Sequence, residues 1–262
     1  MRISFVTGAS ADTPFVDQLE CICRKALDQR SDAILLPEMP AGKWVCENKP
    51  FDAALARNWV AQHEKIEEAL LETGCSFFFT RPVAYRGRLA NQAMFLSESH
   101  RKVLHTKQIF PNEPGWFESD WFLPGTDQFR TMKLGGVTVA FLICTELFWP
   151  EMARSMFDEE IDVFLVPRAT GGSEEKWLVA GRLLSHVTGS FVASSNRNHV
   201  VQSTDTGFLV RPDGSFETHS TPQLEPEVST FTMDTKCVCD GRRSYPAYIK
   251  TPYRLVPCRN DT

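Results

Sequence analysis

One thiol stands where the chain could display a reactive group. Across residues 137–154, VTVAFLICTELFWPEMAR, an unbroken apolar and β-branched run ends in Cys144, with Thr145 and Glu146 directly after it. Trp149-Pro150-Glu151 then reads as a helix start: proline suits the first helical position, and glutamate suits the positive end of the helix dipole. A thiol at such a turn can reach the strand's C-terminal edge, close to backbone N–H groups that favour its thiolate. Packing is the competing reading, because cysteine is among the residue types most often enclosed in a core. Three other apolar runs end in the same manner. AILLPE delivers Glu38, VFLVPR delivers Arg168 and SFVASSN delivers Asn196. Ligands of open α/β sheets sit beyond the carboxyl ends of the strands, so four such termini suggest a shared site.

A thiol nucleophile needs a base, a group to hold the oxyanion and a dry pocket. None of the six histidines (His63, His100, His105, His186, His199, His219) ends a strand in a suggestive context. Glutamate and lysine do.

The elements that must position these groups follow from apolar periodicity. Residues 3–6 and 33–36 read as strands, separated by a helix over 12–28 with Phe15, Leu19, Ile22 and Ala26 on one face. After a loop with Gly42 and Trp44, a long helix runs to about Glu72, with Trp59, Ile66, Ala69 and Leu70 on one face and Gly74 closing it. Residues 75–80 and 92–96 read as strands around a turn at Gly87. Residues 102–107 lead into a long loop over 109–127, rich in proline, glycine and aromatics. A loop that long without regular structure is usually functional. A helix over 149–158, a strand over 162–166, a helix over 174–188 and a strand over 190–194 follow. Residues 207–210 and 230–233 read as paired strands around Pro212-Asp213-Gly214, and the tail 242–262 reads as irregular. The whole chain, 1–262, reads as a single domain of mixed α and β with most strands buried on at least one face.

At 262 residues and 42% hydrophobic, the chain is long enough for a full core. A net charge of −5 without a basic block speaks against nucleic acid, and no apolar run approaches the ~20 residues of a membrane span. The opening MRISFVTGAS reads as a first strand rather than a signal peptide, so eight cysteines fit a reducing, cytoplasmic setting. Cys21/Cys23 and Cys237/Cys239 lack the usual zinc spacing and read as packed cysteines, with no metal expected.

Taken in order, these motifs resemble the nitrilase, or carbon–nitrogen hydrolase, superfamily, whose triad is glutamate, lysine and cysteine. LLPEM places Glu38 as the general base, HTK before a proline-glycine-aromatic loop places Lys107, and ICTELFWPEMAR places Cys144 as nucleophile. Glu146, Pro150 and Glu151 match the family's residues after the cysteine. Glu118 in FESDWFLPG resembles the second glutamate of many members, with Glu113 in reserve. EKWLVAGRLLSHVTGSFVASSNRN and GRRSYPAY extend the likeness over almost the whole chain. The resemblance implies an α-β-β-α sandwich, a homodimer or higher homo-oligomer, and no metal or organic cofactor. It also implies hydrolysis of a non-peptide C–N bond through a cysteine thioester, with Lys107 and the Thr145 N–H holding the oxyanion. Two carboxylates near one lysine would push at least one glutamate's pKa upward by like-charge repulsion.

A small amide is the expected substrate, possibly one bearing a carboxylate, with N-carbamoyl amines or amino acids as the chemical alternative. A non-catalytic binding protein and a histidine-based thiol hydrolase are the rivals. The sequence departs from the commonest pattern at Thr145, where many members carry tyrosine, tryptophan or aspartate, and at Arg168, where a small or aromatic residue is expected. Arg168 either pairs with Glu146 or another acid, or receives a substrate carboxylate through its bidentate fork, and its strand-end position favours the second. Trp44, Trp116 and Trp149 are candidate pocket walls. Trp177 is a fourth candidate wall, though its place on a helical stripe favours core, and Asn196 either orients the pocket or caps a turn.

Overall fold

The computed structural model describes residues 1–10, 14–126, 129–154, 156, 160–170, 174–198, 206–220 and 225–249. In chain order the elements are β1 (Arg2–Ser10), α1 (Phe15–Asp28), β2 (Ala33–Leu35), α2 (Ala53–Glu72), β3 (Phe77–Tyr85), β4 (Arg88–Ser97) and β5 (His100–Thr106). A short α3 (Glu118–Trp121), β6 (Met132–Leu134), β7 (Val137–Phe141), α4 (Pro150–Arg154), β8 (Val163–Arg168) and α5 (Glu174–Thr188) follow. The last are β9 (Phe191–Asn198), β10 (Thr206–Val210), β11 (Phe216–Ser220), β12 (Glu227–Thr232) and α6 (Thr235–Arg243).

The strands form two halves joined along β1. Its first residues lie between β2, in parallel, and β12, antiparallel, so one half runs β5-β4-β3-β2-β1-β12. Its last residues leave β12 and pair in parallel with β9, with Thr7 opposite Asn196. That contact links the second half, β6-β7-β8-β9-β10-β11.

Alternation along the strands decides what each half buries. Phe78 and Leu35 of the first half meet Phe141, Val163 and Leu165 of the second in a core between the sheets, where the rings of Phe78 and Phe141 lie 5.8 Å apart. The neighbouring Phe77 and Phe79 face the opposite way and pack under Leu19 and Ile22 of α1 and Ile66 and Leu70 of α2. Phe164 and Val166 likewise face Met152 of α4 and Ala180 and Leu184 of α5. The layers are therefore helix, sheet, sheet, helix. α2 owes its start to Asp52, whose carboxylate accepts the N–H groups of Ala54 (2.7 Å) and Leu55 (3.0 Å).

Several expectations are corrected by long-range order. The loop after residue 109 contains α3, and the tail begins within α6, which Asp234 caps through the Lys236 N–H at 2.9 Å. Asp127, Asp158 and residues 250–262 lie outside the described residues, as does the start of the expected helix at 12–13. Residues 230–233 pair with β1, while β10 pairs with β9 and β11, because alternation identifies a strand without naming its neighbour. Cys237 and Cys239 are exposed, since α6 buries only Val238 and Gly241. Among the described residues no helix is long and apolar enough to cross a membrane.

Candidate active site

Strand ends and the loops after them converge on one buried cluster. Glu38 leaves the end of β2 on a backbone fastened from several sides. Its N–H donates to Arg168 O (3.2 Å), the Met39 N–H donates to Thr80 Oγ1 (2.8 Å), and the Arg197 guanidinium holds Met39 O and Gly42 O. These bonds support Met39 at φ +47°, a conformation that non-glycine residues rarely adopt. Lys107 follows β5, where its N–H donates to Asn91 O and its carbonyl accepts from the Gly125 N–H, both at 2.9 Å. Gly125 is required by that approach: a Cβ there would lie 2.5 Å from Thr106 O.

The side chains meet as these anchors direct. Lys107 Nζ donates to Glu38 Oε1 at 2.9 Å and to Glu118 Oε2 at 2.7 Å, and Asn91 Nδ2 also donates to Glu38 Oε1 at 2.8 Å. All three ionisable side chains are essentially without solvent contact. Glu38 Oε2 and Glu118 Oε1 accept no hydrogen bond from the described residues. An ammonium has three protons, so two carboxylates leave one for a further acceptor.

Cys144 sits at φ +51°, on a tight turn between β7 and α4. Glu146 fastens this turn. Its carboxylate accepts the Ile143 N–H (2.8 Å), the Gln108 N–H (2.7 Å) and His105 Nε2 (2.8 and 3.0 Å), so one buried anion ties the cysteine turn to the strand that carries Lys107. Sequence reasoning did not find His105. Its spacing two residues before Lys107 was the available signal, because residues i and i+2 share a strand face. Asn91 offered no local signal, since only the β4–β5 pairing brings it beside Lys107.

Burial dominates the electrostatics. Cys144 is 3% exposed, and burial followed by the adjacent Glu38 pushes its thiol pKa well up, with Lys107 and the Ala169 N–H opposing. The expected exposed, thiolate-favouring turn is therefore a buried one that keeps the thiol protonated. Lys107 is held well above the usual lysine range, with burial opposed by Glu118 and Glu38. Glu118 is pushed up to about 7, first by burial and then by Glu38, against the pull of Lys107. Burial thus exceeds the like-charge repulsion expected from the sequence.

The Glu118 shift sets a stability prediction. Between its ordinary 4.5 and about 7, the unfolded chain has released a proton that the folded chain still holds. Stability from this group is therefore greatest below that window and falls as pH rises through it. Denaturant titrations should show wild type losing stability relative to Glu118→Gln between pH 4.5 and 7, and a difference independent of pH would refute the assignment.

A pocket of about 260 Å³ opens onto the cluster, lined by Pro111, Glu113, Trp116, Glu118, Cys144, Thr145, Phe148, Thr170, Lys176 and Trp177. Glu113, Trp116 and Thr145 thus reach the wall. Trp44 stands behind Trp116 at 5.6 Å and is buried, and Trp149 is 42% exposed outside the lining. Trp177, read as core, packs against the core clusters and also forms wall.

Arg168 is 2% exposed and is not among the lining residues. It donates Nε to Ser194 Oγ (2.7 Å) and Nη1 to Thr170 Oγ1 (3.3 Å), with its guanidinium near the rings of Trp177 and Phe208. Asn196 clasps Thr170 from both sides, accepting its N–H at 3.1 Å and donating to its carbonyl at 3.2 Å. Both side chains therefore support a wall residue from behind. Lys176, Phe148, Thr170 and Pro111 were not singled out, because nothing local in sequence marks which face of a loop or helix meets a pocket.

Layered sheets with a strand-end cysteine beside a Glu–Lys–Glu cluster define a class, and residues 3–239 match the carbon-nitrogen hydrolase family. The chain belongs to that family. It is 23% identical over 166 residues to an N-carbamoylputrescine amidase of Oryza sativa subsp. japonica, a match covering 61% of this chain and 54% of the rice protein. The match thus spans about half the length of that curated relative. Two solved structures share the fold: a carbon-nitrogen hydrolase from Helicobacter pylori G27 and an amidase from Nesterenkonia sp. The first has a TM-score of 0.78 at 17% identity, covering 95% of this chain and 94% of its own. The second has a TM-score of 0.73 at 19% identity, covering 92% of each chain.

Proposed function

We propose that the protein hydrolyses the C–N bond of a small amide through a thioester on Cys144. The observation that carries this reading is Lys107 Nζ held between Glu38 and Glu118 in the buried cluster on which Cys144 and its pocket open. With the thiol held protonated, Glu38 removes the proton as Sγ attacks the carbonyl, instead of relying on a preformed thiolate. The remaining Lys107 proton and the Thr145 N–H hold the oxyanion. Glu38 then passes the proton to the leaving nitrogen, and ammonia departs. Water, deprotonated by Glu38 with Glu118 beside it, cleaves the thioester and restores the thiol. In one variant of the Nesterenkonia sp. AN1 amidase, the acetamide moiety of fluoroacetamide is added covalently at the active site cysteine, which supports a cysteine-centred route here. The rice relative favours a second reading on the same residues, in which the acyl group is a carbamoyl and the substrate an N-carbamoyl amine.

The test is ammonia release across neutral amides, ω-amido acids, N-carbamoyl amines and N-carbamoyl amino acids, with mass spectrometry of the Cys144 peptide during turnover. One class is expected to be hydrolysed with a transient acyl adduct on that peptide. Turnover without an adduct on any substrate would refute the thioester, and absence of turnover on all classes would refute the hydrolase reading.

A further inference from the structure

The pocket carries two charged side chains that the proposed chemistry does not use. Glu113 lies on the loop before α3 and Lys176 in the first turn of α5, and both are exposed pocket-lining residues. The Glu113 backbone is fixed, since Trp116 N donates to Glu113 O at 2.8 Å and Glu113 N to Trp116 O at 3.3 Å. Neither side chain forms a hydrogen bond or ion pair with another described residue. The other titratable lining groups are committed elsewhere: Glu118 to Lys107, and Cys144 to the attack. One cation and one anion thus stand at the mouth of the same cleft without neutralising each other.

We propose that Lys176 and Glu113 select amides whose far end carries both a carboxylate and an ammonium, that is, dipolar compounds of the amino-acid type with a terminal carboxamide. This rests on the hydrolase reading for what happens at Cys144, but not for the binding preference itself. Lys176 receives the carboxylate and Glu113 the ammonium, each as a charge-assisted hydrogen bond. Trp116, Phe148 and Trp177, which line the same pocket, offer apolar walls for a short methylene spacer, with the rings of Phe148 and Trp177 4.7 Å apart. About 260 Å³ is below the ~300–1,000 Å³ of sites for drug-sized ligands, so the spacer is short. Arg168, enclosed behind Trp177, supports that wall from its buried side.

Calorimetry on Cys144→Ala protein, which retains the pocket and lacks the nucleophile, measures the preference directly. The probes are pentanamide, glutaramate, 4-aminobutanamide and glutamine: neutral, anionic, cationic and dipolar. Glutamine is expected to bind most tightly. Adding Lys176→Met should lower the glutaramate-to-pentanamide affinity ratio about tenfold, and Glu113→Gln the 4-aminobutanamide-to-pentanamide ratio by a similar factor. Pentanamide binding as tightly as glutamine, ratios unmoved by both variants, or no binding by any probe would overturn the proposal. Wild-type turnover on the same probes separates the two readings. Selective binding without turnover of these probes or of the N-carbamoyl compounds retains the charge selection and removes the hydrolase, whereas turnover without charge selection does the reverse.

Discussion

Cys144→Ala is expected to lower ammonia release by ~10⁴-fold or more on whichever substrate class the wild type hydrolyses best. Removing the nucleophile of a covalent route leaves water to attack an amide directly, helped only by the oxyanion donors and by binding. The fold should tolerate the change. The side chain is small and enclosed, with the Ala169 N–H beside its sulfur. A loss of about 1 kcal/mol would move the melting midpoint by less than about 5 °C. Cys144→Ser tests nucleophilicity separately, because a hydroxyl fits the same space but is a much weaker acid than a thiol. Steady-state rates beside thermal melts check both. A Cys144→Ala protein that keeps more than ~1% of wild-type turnover would show that the thiol is not the attacking group.

Lys107→Met is expected to damage stability and turnover together. The ammonium is the shared counter-charge of two carboxylates that have essentially no solvent contact. Methionine fills similar space but leaves Glu38 and Glu118 facing each other in a medium that screens poorly. Removing one partner of a buried pair costs about 3–5 kcal/mol, enough to lower the melting midpoint by roughly 10 °C. Turnover should fall a further ~10²–10³-fold from loss of an oxyanion donor. The stability deficit has a pH signature. Protonated carboxyls need no cation, so the deficit measured in denaturant at pH 8 should shrink at pH 5, below the Glu118 value of about 7. An equal deficit at both pH values would mean that the lysine acts through packing alone.

The residues proposed for the chemistry were unusually legible. Glu38 and Cys144 follow apolar strands, and a strand buried on its faces has few ways to carry a polar group except at its end. Lys107 and Glu118 were placed by the resemblance of HTK and FESDWFLPG to the carbon–nitrogen hydrolase family, since nothing in their local pattern marks them as reactive. The stripes of α1 and α2 were readable because a helix against a sheet repeats its buried positions every three or four residues, as Leu19, Ile22 and Ala26 do.

Partners across distance were not legible. Asn91 reaches Glu38 because β4 and β5 pair in one register, and Glu146 reaches His105 and Gln108 because β5 and the β7 turn meet. Arg168 shared the strand-end position of Glu38 and Cys144, yet its side chain runs beneath Trp177 to Ser194. Position along a strand is a local property, whereas the direction in which a long side chain finds room depends on neighbours distant in sequence.

The amino-acid sequence by itself determined where the strands end and which reactive groups they deliver, because burial periodicity and turn chemistry act over a few residues. Only the tertiary structure decided that the thiol is enclosed instead of exposed, that Glu118 holds its proton to about 7, and that Lys176 rather than Arg168 stands at the pocket wall. Those outcomes depend on desolvation and on the junction of two sheets, which are set by contacts between segments far apart in sequence, such as Glu38 with Lys107 and β1 with β9.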